Sequence, residues 1–409
     1  TDSESLVSKK DEEILTKAKE CVKELRKKYG DVFFLFSRER KYSQTQKKFM
    51  AYERKRGAVN ALSAYLCNKS DEFDEYSIKP DKNLCQSIKY CITLDADTNL
   101  PLGSVLKMTG AMLHPLNKPE INYEKHIVTN GYGIMQPKIS TTLFSAGRTK
   151  FSRIMCGVGG TEIYSSASFD LEQSIFSNAV FCGKGIFDKH AFYEVTSGNA
   201  AFESDKILSH DALEGARLRC ALLCDVTLTD NFPKNELSYF KRAHRWIRGD
   251  VQNLTFLSKY VRNDEGQRIQ NSISAIYKYR IFDNFRRALV PIFSVLCVVC
   301  GMFLGTEVAT ILIVAGLLHI FAHPIVDLVS CFFNPSILQL LTRRFYSNGI
   351  KTGLWHTLER SLYVLCGLCK NAIVSLDAFL RSLFRMFVSK KNMLEWVTAA
   401  QTSIPATTP

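Results

Sequence analysis

Ala288–Gly305 and Val308–Phe333 are nearly uncharged apolar runs of 18 and 26 residues, and they restrict this chain more than any other part of it. At about 1.5 Å per residue, even the shorter run approaches a bilayer's hydrocarbon core of about 30 Å. The pattern predicts two transmembrane helices. Only Thr306 and Glu307 separate them, so they form a hairpin, with Arg286 and Arg287 before it and Arg343 and Arg344 after it. Cationic flanks on both sides place both ends in the cytosol. Beyond the hairpin, Trp355–Val388 mixes apolar residues at helical spacing with Arg360, Lys370, Arg381 and Arg385, a composition for helices that lie on headgroups rather than cross the bilayer. Three regions follow: an α/β domain over 1–280, a transmembrane hairpin over 281–335, and interfacial helices with a tail over 336–409. The expected location is the inner cell membrane, multi-pass, with the α/β domain cytosolic.

An apolar fraction of 46% in 409 residues supports a sizeable core. Lys and Arg outnumber Asp and Glu by 53 to 40, a formal charge of +13 that suits anionic headgroups, a nucleotide diphosphate or nucleic acid. No nucleic-acid-binding pattern accompanies it, so nucleic acid is not an expected partner. The 13 cysteines are scattered through apolar segments and read as reduced core residues, the Cys297/Cys300 and Cys366/Cys369 pairs included. Thr1–Glu13 is polar and carries no secretory signal. An amphipathic helix then runs to Gly30, and Val32–Phe36 reads as a strand. Domains of alternating strands and helices begin on a strand, so this opening predicts an α/β domain lacking its first strand.

Within that domain, Ser87–Pro101, SIKYCITLDADTNLP, reads as a buried strand ending in a polar loop. Ligands bind at the carboxyl edge of open α/β sheets, and side chains at i and i+2 of an extended segment point the same way. Asp95 and Asp97 therefore either face one hard divalent cation with a diphosphate, or form a solvated turn. Glu53–Leu66, ERKRGAVNALSAYL, sets three basic residues and Gly57 at the start of an apolar helix. Such a helix holds phosphate on its free N–H groups, or is a charged turn before a core helix. Asp71–Leu84 is a surface loop, Gly103–Leu113 a helix, Tyr132–Ile139 a strand and Thr141–Arg153 irregular. Cys156–Gly160, CGVGG, is a flexible loop, and Phe181–Phe187, FCGKGIF, turns on Gly183 and Gly185, as tight packing or as a wall of a substrate site. In Ser209–Gly215, SHDALEG, a helix opens that continues through Leu222, and Asp211 is either its N-cap, worth about 1 kcal/mol, or a reactive carboxylate. His244–Asp250, HRWIRGD, joins cations to Trp246 in one turn, a composition for a diphosphate beside a sugar ring.

In order, Lys55-Arg56-Gly57-Ala58-Val59-Asn60, Asp95-Ala96-Asp97, Gly183-Lys184-Gly185, His210-Asp211 and Arg242-Ala243-His244-Arg245-Trp246 resemble the pattern of inverting nucleotide-sugar glycosyltransferases of the cellulose-synthase and chitin-synthase kind. The segments ERKRG, LDADTNLP, HPLNKP, GYGIMQP, FCGKGIFD, LSHDALEG, HRWIRGD, FDNFRR and SLDAFLRSLFRMFVSKKNMLEWVTAAQ are similar to the glycosyltransferase region of cyclic β-1,2-glucan synthases, from about Gly30 to Gln401. Arg242 stands where the larger family has the first Gln of Gln-x-x-Arg-Trp. The larger family has an earlier strand whose aspartate helps hold uracil, and the resemblance leads one to expect this chain to lack that strand.

The resemblance implies a GT-A-like domain that transfers glucose from UDP-glucose to the 2-hydroxyl of a growing β-1,2-glucan acceptor, with inversion. It implies Mg²⁺ or Mn²⁺ on Asp97 with Asp95, and Asp95 also at the ribose. It makes Asp211 the general base, Arg245 a diphosphate partner, and Lys55 and Gly57 nucleotide contacts. Trp246, Gly183 and Gly185 fall on the acceptor side. Synthases of this family carry further membrane segments upstream and a phosphorylase-like module downstream, the expected partners on the same polypeptide. Two other readings stand beside it: a membrane β-glycosyltransferase of different donor or linkage, and a non-catalytic membrane-anchored fragment.

Overall fold

The computed structural model describes residues 2–156, 171–197, 202–203, 205–333 and 344–395. Gly157–Gly160 of the CGVGG loop, Arg343, and the terminal segment beyond Glu395 lie outside them.

Four strands form the central mixed sheet, in the spatial order Tyr90–Thr93, Gly185–Asp188, Ile134–Thr141, Cys220–Asp230. Gly185–Asp188 runs antiparallel to both neighbours, and Ile134–Thr141 pairs in parallel with Cys220–Asp230. Three strands therefore end on one edge, at Thr93, Thr141 and Asp230, and the fourth starts there at Gly185. Alternation along the strands fills two cores. On one face Ile134, Phe187, Cys220 and Leu222 pack with Phe192 and Val195 of helix Lys189–Thr196 and with Leu218 of helix Asp211–Leu218. On the other, Met135, Ile186 and Ala221 pack with Met108 and Met112 of helix Ser104–Leu113. Both faces of the mixed sheet are covered. The parallel ladder shifts register after Pro137, which has no N–H to extend it, and Cys224–Val226 stand outside the pairing there.

Several elements differ from the sequence reading. The helix opening at Asp211 stops at Leu218, because Arg219 takes a left-handed conformation (φ 52°) and Cys220–Asp230 becomes the longest strand of the sheet. Val32–Phe36 forms no strand. Leu35 makes only an isolated bridge with Ile78 (N···O 3.0 and 2.8 Å), and Phe36 packs edge-on against Tyr65 and tilted against Phe73. Thr141–Arg153 is not irregular: Thr142 and Thr149 cap short helices Leu143–Gly147 and Lys150–Met155. Asp81 likewise caps a helix over Lys82–Ser87, so the central strand begins only at Tyr90.

Among the described residues, two helices are long and apolar enough to cross a membrane, Ala275–Gly301 and Thr306–Val329. The first begins well before Ala288. Its opening turns bury Tyr277, Arg280, Ile281 and Asp283; Tyr277 Oη donates to the Ala179 carbonyl (2.9 Å) and Arg280 to Asn178 Oδ1 (2.9 Å). A continuous helix thus crosses the expected boundary at residue 280. The turn between the two helices is Met302–Gly305, and Thr306 and Glu307 belong to the first turn of the second helix. Gly301 and Gly316 let the pair approach closely: a Cβ on Gly316 would lie 2.9 Å from Cys297 Cβ, and one on Gly301 3.1 Å from Ile313 Cγ1. Farther on, Gly353–Cys366 and Leu368–Ser389 form a pair bent by 61°. Helix Leu368–Leu383 buries Leu368, Ala372, Ser375, Ala378 and Ser382 against helices Glu236–Asn253 and Ala275–Gly301. Its Ile373, Leu376 and Leu380 remain exposed. Alkaline carbonate washing of membranes containing the protein should leave it in the pellet; release to the supernatant would sink the hairpin reading.

Candidate active site

Strand pairing ends at Thr93, and the chain turns at Ala96 and Asp97, where the Thr98 N–H donates back to the Asp95 carbonyl (3.1 Å). The loop is pinned to the far strand: Thr98 Oγ1 donates to Asp230 Oδ1 (2.7 Å), and Asn99 bridges Thr229 (N···O 2.9 and 3.3 Å). This turn removes the premise that put Asp95 and Asp97 on one side. Asp95 faces two lysines, Lys55 Nζ at 2.5 Å from Oδ1 and Lys184 Nζ at 3.1 Å from Oδ2. Asp97 is exposed, and among the described residues its carboxylate has no ion pair or hydrogen bond. Burial would raise the Asp95 pKa, but the ammonium groups of Lys55 and Lys184 outweigh it and hold the carboxyl below its ordinary value. Lys184 also ion-pairs with Asp230. Burial disfavours its charge, yet Asp230 and Asp95 raise its pKa above the usual lysine value.

Asp211 stands at the same edge. It is the first residue of its helix, not the N-cap: His210 holds that position, with no side-chain capping bond. Gly183 adopts a left-handed backbone (φ +84°), and a Cβ there would meet Asp211 Cγ, Oδ1 and Oδ2 at 2.9 Å each. The carboxylate therefore lies flat across the Gly183 Cα, where only glycine leaves room. Lys55 Nζ also reaches the Gly183 carbonyl (2.7 Å), which joins Asp211's support to Asp95's. Behind Asp211, His210 Nδ1 is 2.9 Å from Glu214 Oε1 and 3.6 Å from Asp211 Oδ1. Burial opposes charge on His210, but Glu214 and Asp211 outweigh it and raise the imidazole pKa. Burial lowers the Arg245 pKa against the opposing pull of Asp211 and Asp95, so this guanidinium is within electrostatic reach of both carboxylates.

The basic turn divides its residues. Glu53 and Arg54 both take left-handed conformations (φ 52° and 49°), a strained entry to helix Arg54–Leu66. A buried Glu53–Arg56 ion pair (2.7 Å) and Arg38 bonds to the Tyr52 and Arg54 carbonyls (3.2 and 3.1 Å) hold it. Arg54 pairs with Asp2 (2.7 Å), so Lys55 is the one of the three that extends to Asp95. Gly57 is buried, and a Cβ on it would lie 2.2 Å from the Tyr52 carbonyl oxygen; its place is in packing the turn. Gly185 plays a similar part in the sheet, with a Cβ position 2.2 Å from the Met135 carbonyl oxygen. Trp246, next to Arg245 on helix Glu236–Asn253, stacks with the Arg242 guanidinium at 4.8 Å.

The structure thus brings Lys55, Asp95, Gly183, Asp211 and Arg245 together, with Asp97 on the adjoining turn. Lys184, Asp230 and Glu214 escaped the sequence reading. Lys184 sat in view between two glycines, whereas Asp230 was hidden because its strand was not recognised. The donor set suits a hard cation held jointly with a phosphate ligand: Asp97 offers an uncommitted carboxylate, while both oxygens of Asp95 already face lysines. The described residues hold one cluster of three metal-type donors, His210, Asp211 and Glu214, with ligand atoms within 4.8 Å of one another. There the imidazole already pairs with Glu214.

No protein-family model matches the sequence. Over 407 residues the chain is 31% identical to the cyclic β-(1,2)-glucan synthase NdvB of Rhizobium meliloti (strain 1021). The chain is related to that synthase. The alignment takes in 98% of this chain and 14% of the synthase, so the chain spans only a small part of that relative's length.

Proposed function

We propose that this chain is a membrane-bound inverting glucosyltransferase that moves glucose from UDP-glucose to the 2-hydroxyl of a β-1,2-glucan chain, as part of a cyclic β-1,2-glucan synthase. The observation that carries this reading is the Asp211 carboxylate laid across Gly183, beside the Lys55–Asp95 pair, at the carboxyl edge of the sheet. The relation to a glucan synthase supports the acceptor and product. Three parallel strands and one antiparallel strand, opening at their carboxyl edge, suit a GT-A-like domain. The two apolar helices suit a multi-pass inner-membrane protein whose sheet domain lies in the cytosol, where the basic flanks would hold it.

In this reading Asp211 takes the proton of the acceptor 2-hydroxyl as its oxygen attacks the anomeric carbon from the face opposite UDP. The bond from that carbon to the diphosphate oxygen breaks, UDP leaves with the electron pair, and α becomes β. Arg245 pairs with the diphosphate, Lys55 and Asp95 sit on the nucleotide side, and Trp246 borders the acceptor. Asp97 would hold Mg²⁺ or Mn²⁺, which supplies countercharge to the departing diphosphate. Chelation of divalent metal, and separately Asp97→Ala, should each cut UDP release from UDP-glucose by roughly 10²-fold or more, corresponding to the several kcal/mol a Lewis-acidic cation contributes. Full turnover in chelator would take Asp97 out of the site.

A further inference from the structure

We infer that Lys184 and Asp230 are positioning residues: they aim the Asp95–Asn99 loop, and with it Asp97, at the diphosphate and its cation. This rests on the donor-site reading given above. Asp230 ends the longest strand, and both its oxygens are engaged, Oδ1 by Thr98 Oγ1 (2.7 Å) and Oδ2 by Lys184 Nζ. The same ammonium contacts Asp95 Oδ2 (3.1 Å), whose other oxygen receives Lys55 (2.5 Å). One nitrogen thus ties together the end of strand Cys220–Asp230, the start of strand Gly185–Asp188 and the loop after Tyr90–Thr93. The tie is nearly out of water, with the Lys184 and Asp230 side chains 10% and 15% exposed.

Charge shows why the arrangement leaves Asp97 for a ligand. Two lysines and two carboxylates make the network neutral, so neither Lys55 nor Lys184 has charge to spare for Asp97. That residue lies between the two anchored points, Asp95 and Thr98, and its backbone is set from both sides. Without Lys184, Asp95 and Asp230 would keep two carboxylates beside one another with a single cation. The loop would then relax away from the strand end, carrying Asp97 with it.

Mn²⁺ binding to the detergent-solubilised membrane protein, titrated by electron paramagnetic resonance with UDP present, tests this independently of turnover. Lys184→Met should weaken Mn²⁺ binding by about tenfold or more, the loss typical when a supporting partner of a metal ligand is removed. Lys184→Arg should restore binding to within about threefold, because the guanidinium keeps the charge and reaches both carboxylates. In turnover assays the loss should fall on the KM for UDP-glucose, with kcat at saturating donor and metal largely kept. Thr98→Val, which removes only one hydroxyl from the network, should weaken Mn²⁺ binding in the same direction and decides the matter if Lys184→Met does not fold. Unchanged Mn²⁺ affinity in the folded variants, or Lys184→Arg as damaged as Lys184→Met, overturns the inference. A wild type that binds Mn²⁺ with UDP in a Lys184-dependent way but transfers no glucose would defeat the transfer reading alone. If wild type binds no Mn²⁺ with UDP, the positioning inference falls.

Discussion

Asp211→Asn should slow glucose transfer by roughly 10²–10⁴-fold, the usual worth of general-base catalysis, while leaving affinity for UDP nearly unchanged. The exchange keeps the side chain's size and most of its hydrogen-bonding geometry, but an amide cannot accept the proton of the attacking hydroxyl. A capping role would give the opposite result, because Asn caps a helix about as well as Asp. The geometry already removes that role: His210 occupies the N-cap, and the Asp211 carboxylate rests on Gly183. UDP release and β-1,2-glucan formation from UDP-glucose are the readouts, with UDP binding measured alongside. More than about a tenth of wild-type turnover in Asp211→Asn would defeat the base assignment.

Arg56→Met should destabilise the α/β part by about 3–5 kcal/mol, because it strands a buried carboxylate. Glu53 and Arg56 are 5% and 3% exposed and pair at 2.7 Å; Glu53 also accepts the Asp205 backbone N–H, and Arg56 reaches the Phe202 carbonyl. The pair therefore locks two things at once, the left-handed entry to the Lys55 helix and the approach of the chain to His210 and Asp211. At about 2–4 °C per kcal/mol for a domain of 150–250 residues, the thermal midpoint should fall by on the order of 10 °C. Tryptophan fluorescence of the detergent-solubilised protein on heating measures it. The double variant Glu53→Gln with Arg56→Met should lose less than Arg56→Met alone, since no unpaired charge stays behind. Equal midpoints for wild type and Arg56→Met would show that the pair does not hold this turn.

What the sequence determined by itself was whatever depends on near neighbours. Length and apolarity mark out the two long helices whatever they pack against, and alternation over Ile134 and Met135 assigns opposite faces of a strand to two cores. The strand that delivers Asp95 to a sheet edge, and the helix that starts at Asp211, are legible for the same reason. Tertiary structure decided partnerships between segments far apart along the chain. Lys55 meets Asp95 across 40 residues and Gly183 across 128, and Thr98 meets Asp230 across 132. Local spacing placed Lys55, Arg56 and Gly57 in one basic turn without distinguishing them. The fold sends the first to the candidate site, buries the second against Glu53, and packs the third under Tyr52. The segment Cys220–Asp230 could extend a helix or enter a ladder on its own pattern, and the unpaired edge of Ile134–Thr141 made it a strand. Spacing says where a side chain points relative to its own element; which charge, carbonyl or glycine waits there depends on how the elements are brought together.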